Sequence, residues 1–339
     1  MGSGSQEALK QLRELVDQVE DPALQKTFKN LHQGYPDETL VRFLKARDWN
    51  VPKAYKMIVD CLNWRVQNEI DDILSKIITP ELYRDIRDTQ LIGLSGYSNT
   101  GLPVIAIGVG LSTYDKASVH YYLQSHIQLN EYRDRVVLPS ASKSCGRHIG
   151  TCIKVLDMTG LKLSALSQIK ILTNISTVDD LNYPEKSDTY FIVNAPYIFS
   201  ACWKTVKPLL HDRTKRKIQV LQGNGRNELL KIMDESALPH FCKRDHTSSN
   251  GNSNYCYSSD HSFHQQFYAY MKLQATGVGP TLLPPLKQQS FHVNVPETPS
   301  PMKRQIVGIL EDFKKMDVSD SSCSGRLANS NPTRSQHTT

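Results

Sequence analysis

Apolar residues recur at helical spacing over about the first 70 positions. In VPKAYKMIVDCLNWRV, Ala54, Met57, Ile58, Cys61 and Leu62 fall on one face, which predicts a helix packed on that side. Asn50 and Pro52 supply its start. A Pro-Asp pair at Pro36 and Asp37 reads as a turn between earlier helices. In DETLVRFLKARDWN, Leu40, Phe43 and Leu44 form an inward stripe that Arg47 continues at i+3 and i+4 spacing. Near residue 89 the period changes. LIGLSGYSNTGLPVIAIGVG holds two apolar runs joined by Ser-Asn-Thr-Gly, which predicts a hairpin or paired edge strands.

After the hairpin the pattern predicts a helix (about 116–137), a strand CIKVLD (152–157), a helix (about 163–176), a strand YFIVN (190–194), a helix (about 197–209), a strand KIQVL (217–221) and a helix (about 225–234). Strands alternating with helices imply an α/β fold, a helical N-terminal layer followed by a mostly parallel sheet with helical crossovers. The strands are short and apolar throughout, as expected when both faces are covered or one faces an apolar cavity. Beyond Asp245 the composition turns to SSNGNSNYCYSSDHS, LLPPLKQQS and a Ser/Asn/Thr-rich end, too polar to order itself. Residues 246–339 are therefore expected to be a largely disordered tail. Within it Met302, Ile306, Leu310 and Phe313 share a face between flanking lysines and arginines, which predicts an amphipathic helix at 302–316. Thr298-Pro299 and Ser300-Pro301 beside it are candidate proline-directed phosphorylation sites.

Charge and cysteine narrow the classes. Forty basic against 34 acidic side chains give +6, which suits an anionic membrane surface and lacks the dense basic stripes expected of a nucleic-acid binder. Seven scattered cysteines with no Cys-x-x-Cys pair fit a reduced, intracellular compartment. No apolar run reaches about 18 residues, and the N-terminus has no secretory apolar core, so a soluble chain is expected. MGSGSQ begins like a myristoylation signal but has Gln6 where Ser or Thr belongs, so no lipid anchor is expected.

Several motifs suggest chemistry and fall short of it. Gly108 and Gly110 in IGVGLS, and Gly223 and Gly225 in QGNGRNE, follow strands as in a dinucleotide site. Thr113 and Glu228 stand where the third glycine belongs, so turn glycines are the better reading. GLSGY (Gly93 to Tyr97) ends in tyrosine where a nucleophile elbow needs glycine. Cys242, His246, Cys256 and His261 have a C-x3-H-x9-C-x4-H spacing unlike known zinc sites. No metal is expected.

Arg47 is more telling, because a guanidinium on a buried face wants an anion; its bland alternative is to cap carbonyls or snorkel to water. Arg42 and Lys45 read as solvated surface. In HDRTKRKIQVL, Lys215 and Arg216 read likewise, whereas Lys217 abuts a core strand. Glu185 precedes the 190–194 strand, and in a parallel sheet it shares a strand end with Lys217 if the two strands are neighbours. The two are then placed to pair. Lys186 has no assigned part.

TLVRFLKARDWNVPKAYKMIVDCLNWR, VLDMTGLKLS, and NYPEKSDTYFIVNAPYIFSACWKTVKPLL followed by RTKRKI occur in that order over about residues 20–245. Together they resemble the CRAL-TRIO lipid-transfer family, and within it the phosphatidylinositol transfer branch. The resemblance implies a helical N-terminal region (1–75) and a lipid-binding domain (76–245) whose sheet floors an apolar cavity for one phospholipid. A movable helical gate closes that cavity and matches PYIFSACWKTVKPLL and the segment after it.

Carried over by motif, Arg47 in KARDW, Glu185 in YPEK, and Thr214 and Lys217 in RTKRK hold the head group. Arg47 and Lys217 neutralise the phosphate, Thr214 donates its hydroxyl, and Glu185 meets inositol hydroxyls or holds Lys217. Members that also carry phosphatidylcholine have Ser and Thr where this chain has Cys152 and Lys154, and a lysine does not welcome choline.

The expected function is phosphatidylinositol transfer or presentation by a cytoplasmic monomer that docks transiently on anionic membranes. It has no catalytic residues and no cofactor beyond the lipid, and a lipid kinase is the consumer of what it presents. The alternatives are an adaptor or carrier for another hydrophobic ligand, whose neutral head would leave the cations unpaired, and a nucleotide-dependent α/β enzyme.

Overall fold

The computed structural model describes residues 2–162, 165, 168–200, 203, 207–209, 212–243 and 255–277. Four helices build the N-terminal layer: α1 (Ser3–Asp17), α2 (Pro22–His32), α3 (Pro36–Ala46) and α4 (Val51–Gln67). Asn50 Oδ1 accepts from the Lys53 amide at 3.0 Å and fixes where α4 begins. Pro36 does not form the predicted turn but opens α3, where its fixed φ suits the first helical position. The chain reverses just before it, at Gln33 and Gly34, both at positive φ. Leu40, Phe43 and Leu44 pack with Leu12, Met57, Ile58 and Leu62 in a core of their own.

A 3-10 turn (Ile70–Ser75) leads to α5 (Pro80–Gln90). Strands β1 (Ile92–Tyr97) and β2 (Pro103–Ile107) pair antiparallel as the predicted hairpin. Strands β3 (Cys152–Asp157), β4 (Ser187–Val193) and β5 (Ile218–Val220) add in parallel, giving the order β1-β2-β3-β4-β5. The first crossover is α6 (Val119–Tyr132), which passes through a π turn (Arg133–Val137) into α7 (Leu138–Cys145). The next is α8 (Ile169–Asn182), about six residues later than its predicted start, and a short α9 (Asp212–Arg216) precedes β5. The helix predicted at about 225–234 is a single turn, α10 (Arg226–Leu229). Much of the one predicted at about 197–209 lies outside the described residues; within it, Phe199 and Trp203 stack with ring centroids 5.8 Å apart.

Register assigns the two faces of the sheet opposite duties. Val104, Ala106, Ile153, Val155, Phe191 and Val193 are buried on one face, against Leu229, Met233, Leu238 and Phe241. On the other face Ile105, Lys154, Tyr190 and Ile218 stand in one row across four strands, with Ile107, Leu156, Ile192 and Val220 in the next. Most of these are only half-buried, so this face is a floor with space above it. A bulge opposite Cys152 and Lys154, where β4 spends one extra residue, turns Tyr190 to the same side as Lys154.

The expectation of a tail from residue 246 onward needs correction. Residues Ser262–Gly277 form a sixteen-residue helix, α11, whose Phe263, Phe267 and Met271 are buried in the largest core cluster beside Tyr83, Tyr132 and Ile73. His264 is completely buried, its ring bonded to the Ile92 carbonyl (2.9 Å) and the Tyr83 hydroxyl (3.1 Å). Composition misled here because the polar SSNGNSN run hides an i, i+4, i+8 apolar stripe just after it. The predicted 302–316 helix and the two Ser/Thr-Pro pairs lie outside the described residues. No helix among the described residues is long and apolar enough to cross a membrane.

Candidate functional site

Four side chains from distant parts of the chain line one cleft of about 160 Å³ at the edge of the floor: Arg47, Glu185, Thr214 and Lys217. Arg47 arrives at the C-cap of α3, because Leu40, Phe43 and Leu44 anchor the same helical face in the core. Glu185 sits in the turn before β4 at φ 57°. A non-glycine residue held there costs on the order of 1 kcal/mol or more, and the conformation aims its carboxylate across the cleft. Thr214 lies on α9 and Lys217 one residue before β5, next to β4 as the pairing requires.

The predicted Glu185–Lys217 pair forms, and both carboxylate oxygens are taken. Lys217 Nζ donates to Oε2 (2.7 Å) and to the Ser187 carbonyl (2.8 Å), while Arg213 Nη1 donates to Oε1 (3.1 Å). Arg213 also reaches Asp48 beyond α3 at 2.6 Å, tying the helical layer to the strand ends. Glu185 therefore holds cations in place, one of its two expected parts. Arg47 donates to the Ala46 carbonyl at 2.9 Å, so it does cap its helix, yet it has no carboxylate within ion-pair distance among the described residues. Burial and the nearby Arg213 pull its guanidinium below the ordinary value.

Arg213, Arg133 and Lys186 also line the cleft and were not predicted to; Lys154, expected only as the residue that opposes choline, lines it as well. Arg133 comes inward at the π turn, a geometry common at functional sites. Lys154 lies in mid-floor, its ammonium 5.4 Å from the Tyr190 ring centre and 4.0 Å from Asp179. Lys186 is buried against Asp134 at 3.0 Å, and burial together with Arg42 lowers it to about 7. Arg42 itself is not the solvated cation expected. It lines a second, smaller cleft with Tyr35, Asp134 and His148, and burial lowers it to about 10. A sequence does not distinguish such cations from surface ones, because their partners are tertiary neighbours.

The weaker motifs have structural occupations. A side chain at Gly110 would overlap the Thr159 carbonyl, and Gly223 and Gly225 take left-handed turns. Ser95 in GLSGY donates to the Ala237 carbonyl at 2.7 Å. Burial raises the Cys256 thiol to about 12, and no metal-ligand cluster occurs among the described residues; His246 lies outside them.

Comparison with known proteins places this architecture. Residues 87–243 match the CRAL/TRIO domain and residues 8–60 the CRAL/TRIO, N-terminal domain. The chain is 30% identical over 225 residues to the phosphatidylinositol/phosphatidylcholine transfer protein SFH9 of Arabidopsis thaliana, covering 63% of this chain and 38% of that protein. It is also 30% identical over 226 residues to the SEC14 cytosolic factor of Yarrowia lipolytica, covering 62% and 44%. The chain thus spans less than half the length of these two relatives. Among solved structures, the crystal structure of Sfh5 superposes with a TM-score of 0.57 over 82% of this chain and 98% of that one, at 16% identity, a likeness of fold. With both domain models matched in their order and the fold shared, the chain belongs to the CRAL/TRIO family.

Proposed function

We propose that this protein binds one phosphatidylinositol and exchanges it between membranes, as a carrier that makes and breaks no covalent bond. The observation that carries this reading is the convergence of Arg47, Thr214 and Lys217 on one cleft beside a half-buried apolar floor. The acyl chains lie over Ile105, Ile107, Leu156 and Ile192, with the stacked Phe199 and Trp203 at the gate. Burying acyl chains gains about 0.8 kcal/mol per CH2, so about thirty methylenes are worth on the order of 20 to 25 kcal/mol in bilayer or pocket alike. A matched pocket makes extraction nearly neutral, and selectivity falls to the head-group contacts, roughly 1.5 to 3 kcal/mol each when charged.

Arg47 and Lys217 meet the phosphodiester and Thr214 donates to it, with Glu185, itself held by Arg213, fixing Lys217. The relatives' names join phosphatidylinositol with phosphatidylcholine, but Lys154 in mid-floor opposes a choline cation, and we assign this chain no phosphatidylcholine. Docking on an anionic membrane falls to the edge carrying exposed Leu111 and Tyr197, beyond the C-terminal ends of β2 and β4, with exposed Lys116 and Lys162 beside them. The carrier works as a cytoplasmic monomer and presents its lipid to a lipid kinase.

Transfer between vesicles tests the site. Lys217→Ala is expected to slow phosphatidylinositol transfer about tenfold or more, the worth of one charge-assisted bond. Glu185→Lys, which sets a third cation against Lys217 and Arg213, is expected to abolish it. Wild-type rates in both folded variants would refute the assignment.

A further inference from the structure

The cleft extends past the four head-group residues to a second basic position on the floor, and not all of its donors are spent. Arg133 is 7% exposed. Its Nε donates to Asp134 (2.7 Å) and Nη1 to Asn130 (2.9 Å), but the buried Nη2 has no hydrogen-bond partner. Lys154, beside it, makes no hydrogen bond among the described residues. Its nearest carboxylate, Asp179, stands 4.0 Å off and spends Oδ1 on His126 and Asn130, each at 2.7 Å. Burial lowers the Lys154 ammonium, but Tyr190 and Asp179 beside it outweigh that and leave it above the ordinary value.

This position is separate from Lys217, whose ammonium is held by Glu185 and the Ser187 carbonyl. Lys154 and Tyr190 are register partners, as are Tyr190 and Ile218, so Lys154 and the start of β5 are two strand spacings apart, about 10 Å. Two separated cationic positions call for two anionic groups on one ligand. A six-membered polyol with a phosphodiester on one side and a phosphate monoester on the other presents them so.

We propose that Arg133 and Lys154 form a second phosphate site, and that the ligand class is an inositol head group carrying a phosphate monoester besides its diester. This rests on the carrier reading for the first phosphate and names a more specific cargo. An uncharged group at this position leaves Arg133 Nη2 without an acceptor and Lys154 with no closer anion among the described residues than Asp179 at 4.0 Å.

Full-length protein is incubated with phosphatidylcholine vesicles holding equal phosphatidylinositol and phosphatidylinositol 4-phosphate, re-isolated, and its lipid identified by mass spectrometry. Wild type is expected to load the phosphorylated lipid by about tenfold or more, one charge-assisted bond's worth. In Lys154→Met and Arg133→Gln the ratio of the two lipids is expected to fall towards one. A thermal-shift arm uses soluble inositol 1,4-bisphosphate and reports on the phosphate site without lipid loading, so a folding defect in one variant leaves the test intact. Loading of phosphatidylinositol with no preference overturns the second site and leaves the carrier reading standing. A thermal shift that Lys154→Met removes, with no lipid loaded, upholds the site and overturns the carrier. Neither lipid loaded and no shift overturns both.

Discussion

Replacing Glu131 with alanine is expected to cost the fold about 3 to 5 kcal/mol, the usual loss when one partner of a buried ion pair is removed. Glu131, on α6, is 2% exposed. Its Oε1 accepts from Arg65 Nη1 (2.8 Å) and the Tyr183 hydroxyl (2.7 Å), and its Oε2 from Arg65 Nη2 (2.9 Å) and Arg135 Nη2 (2.6 Å). Arg65 belongs to α4 and is 1% exposed, so this carboxylate joins the helical layer to the α/β layer. Without it Arg65 keeps Asp71, at 3.1 Å, as its one carboxylate partner among the described residues.

The same residue gives the variant a pH signature. Burial works against the Glu131 charge, but Arg65 and Arg135 outweigh it and hold the carboxyl at about 2, against an ordinary 4.5. A depressed carboxylate contributes stability that is complete above its unfolded value and is lost as pH falls through the folded one. That contribution therefore fades between about pH 4.5 and 2, and Glu131→Gln should flatten the wild-type decline there. Urea unfolding at neutral pH and in that window measures both effects. A loss below 1 kcal/mol for Glu131→Ala would show that the pair is dispensable.

The second large effect is expected from Phe267→Ala in α11, about 3 to 5 kcal/mol for emptying a fully buried aromatic site. Its ring centre is 4.7 Å from that of Tyr132 and 6.1 Å from that of Tyr83, so a cavity would open inside the largest core cluster. Tyr132 ends α6 just before the π turn that carries Arg133, so the loss should also reach the cleft. A loss near zero would return α11 to the status of a tail.

These two residues also mark where a sequence is legible. Periodic apolar stripes and turn chemistry placed β3 to the residue, the β1–β2 hairpin and the start of α4. The motifs carrying Arg47, Glu185, Thr214 and Lys217 pointed to residues that fold onto one cleft. Charges that pair inside the protein were not legible. Glu131 near the end of α6 and Arg133 and Asp134 in the π turn look like ordinary helix-surface charges in the sequence, yet all three are buried. Arg42 and Lys186 acquire their character from burial beside Asp134. Helix α11 was readable in principle, since Phe263, Phe267 and Met271 keep strict spacing, but a composition average over the preceding polar run concealed it.

The central claim is that the floor and cleft hold a phosphatidylinositol. Native mass spectrometry of the purified, unlabelled protein measures this directly. The account predicts a one-to-one complex whose extracted lipid contains phosphate and inositol. A protein that carries no lipid, or a neutral lipid without phosphate, would contradict it.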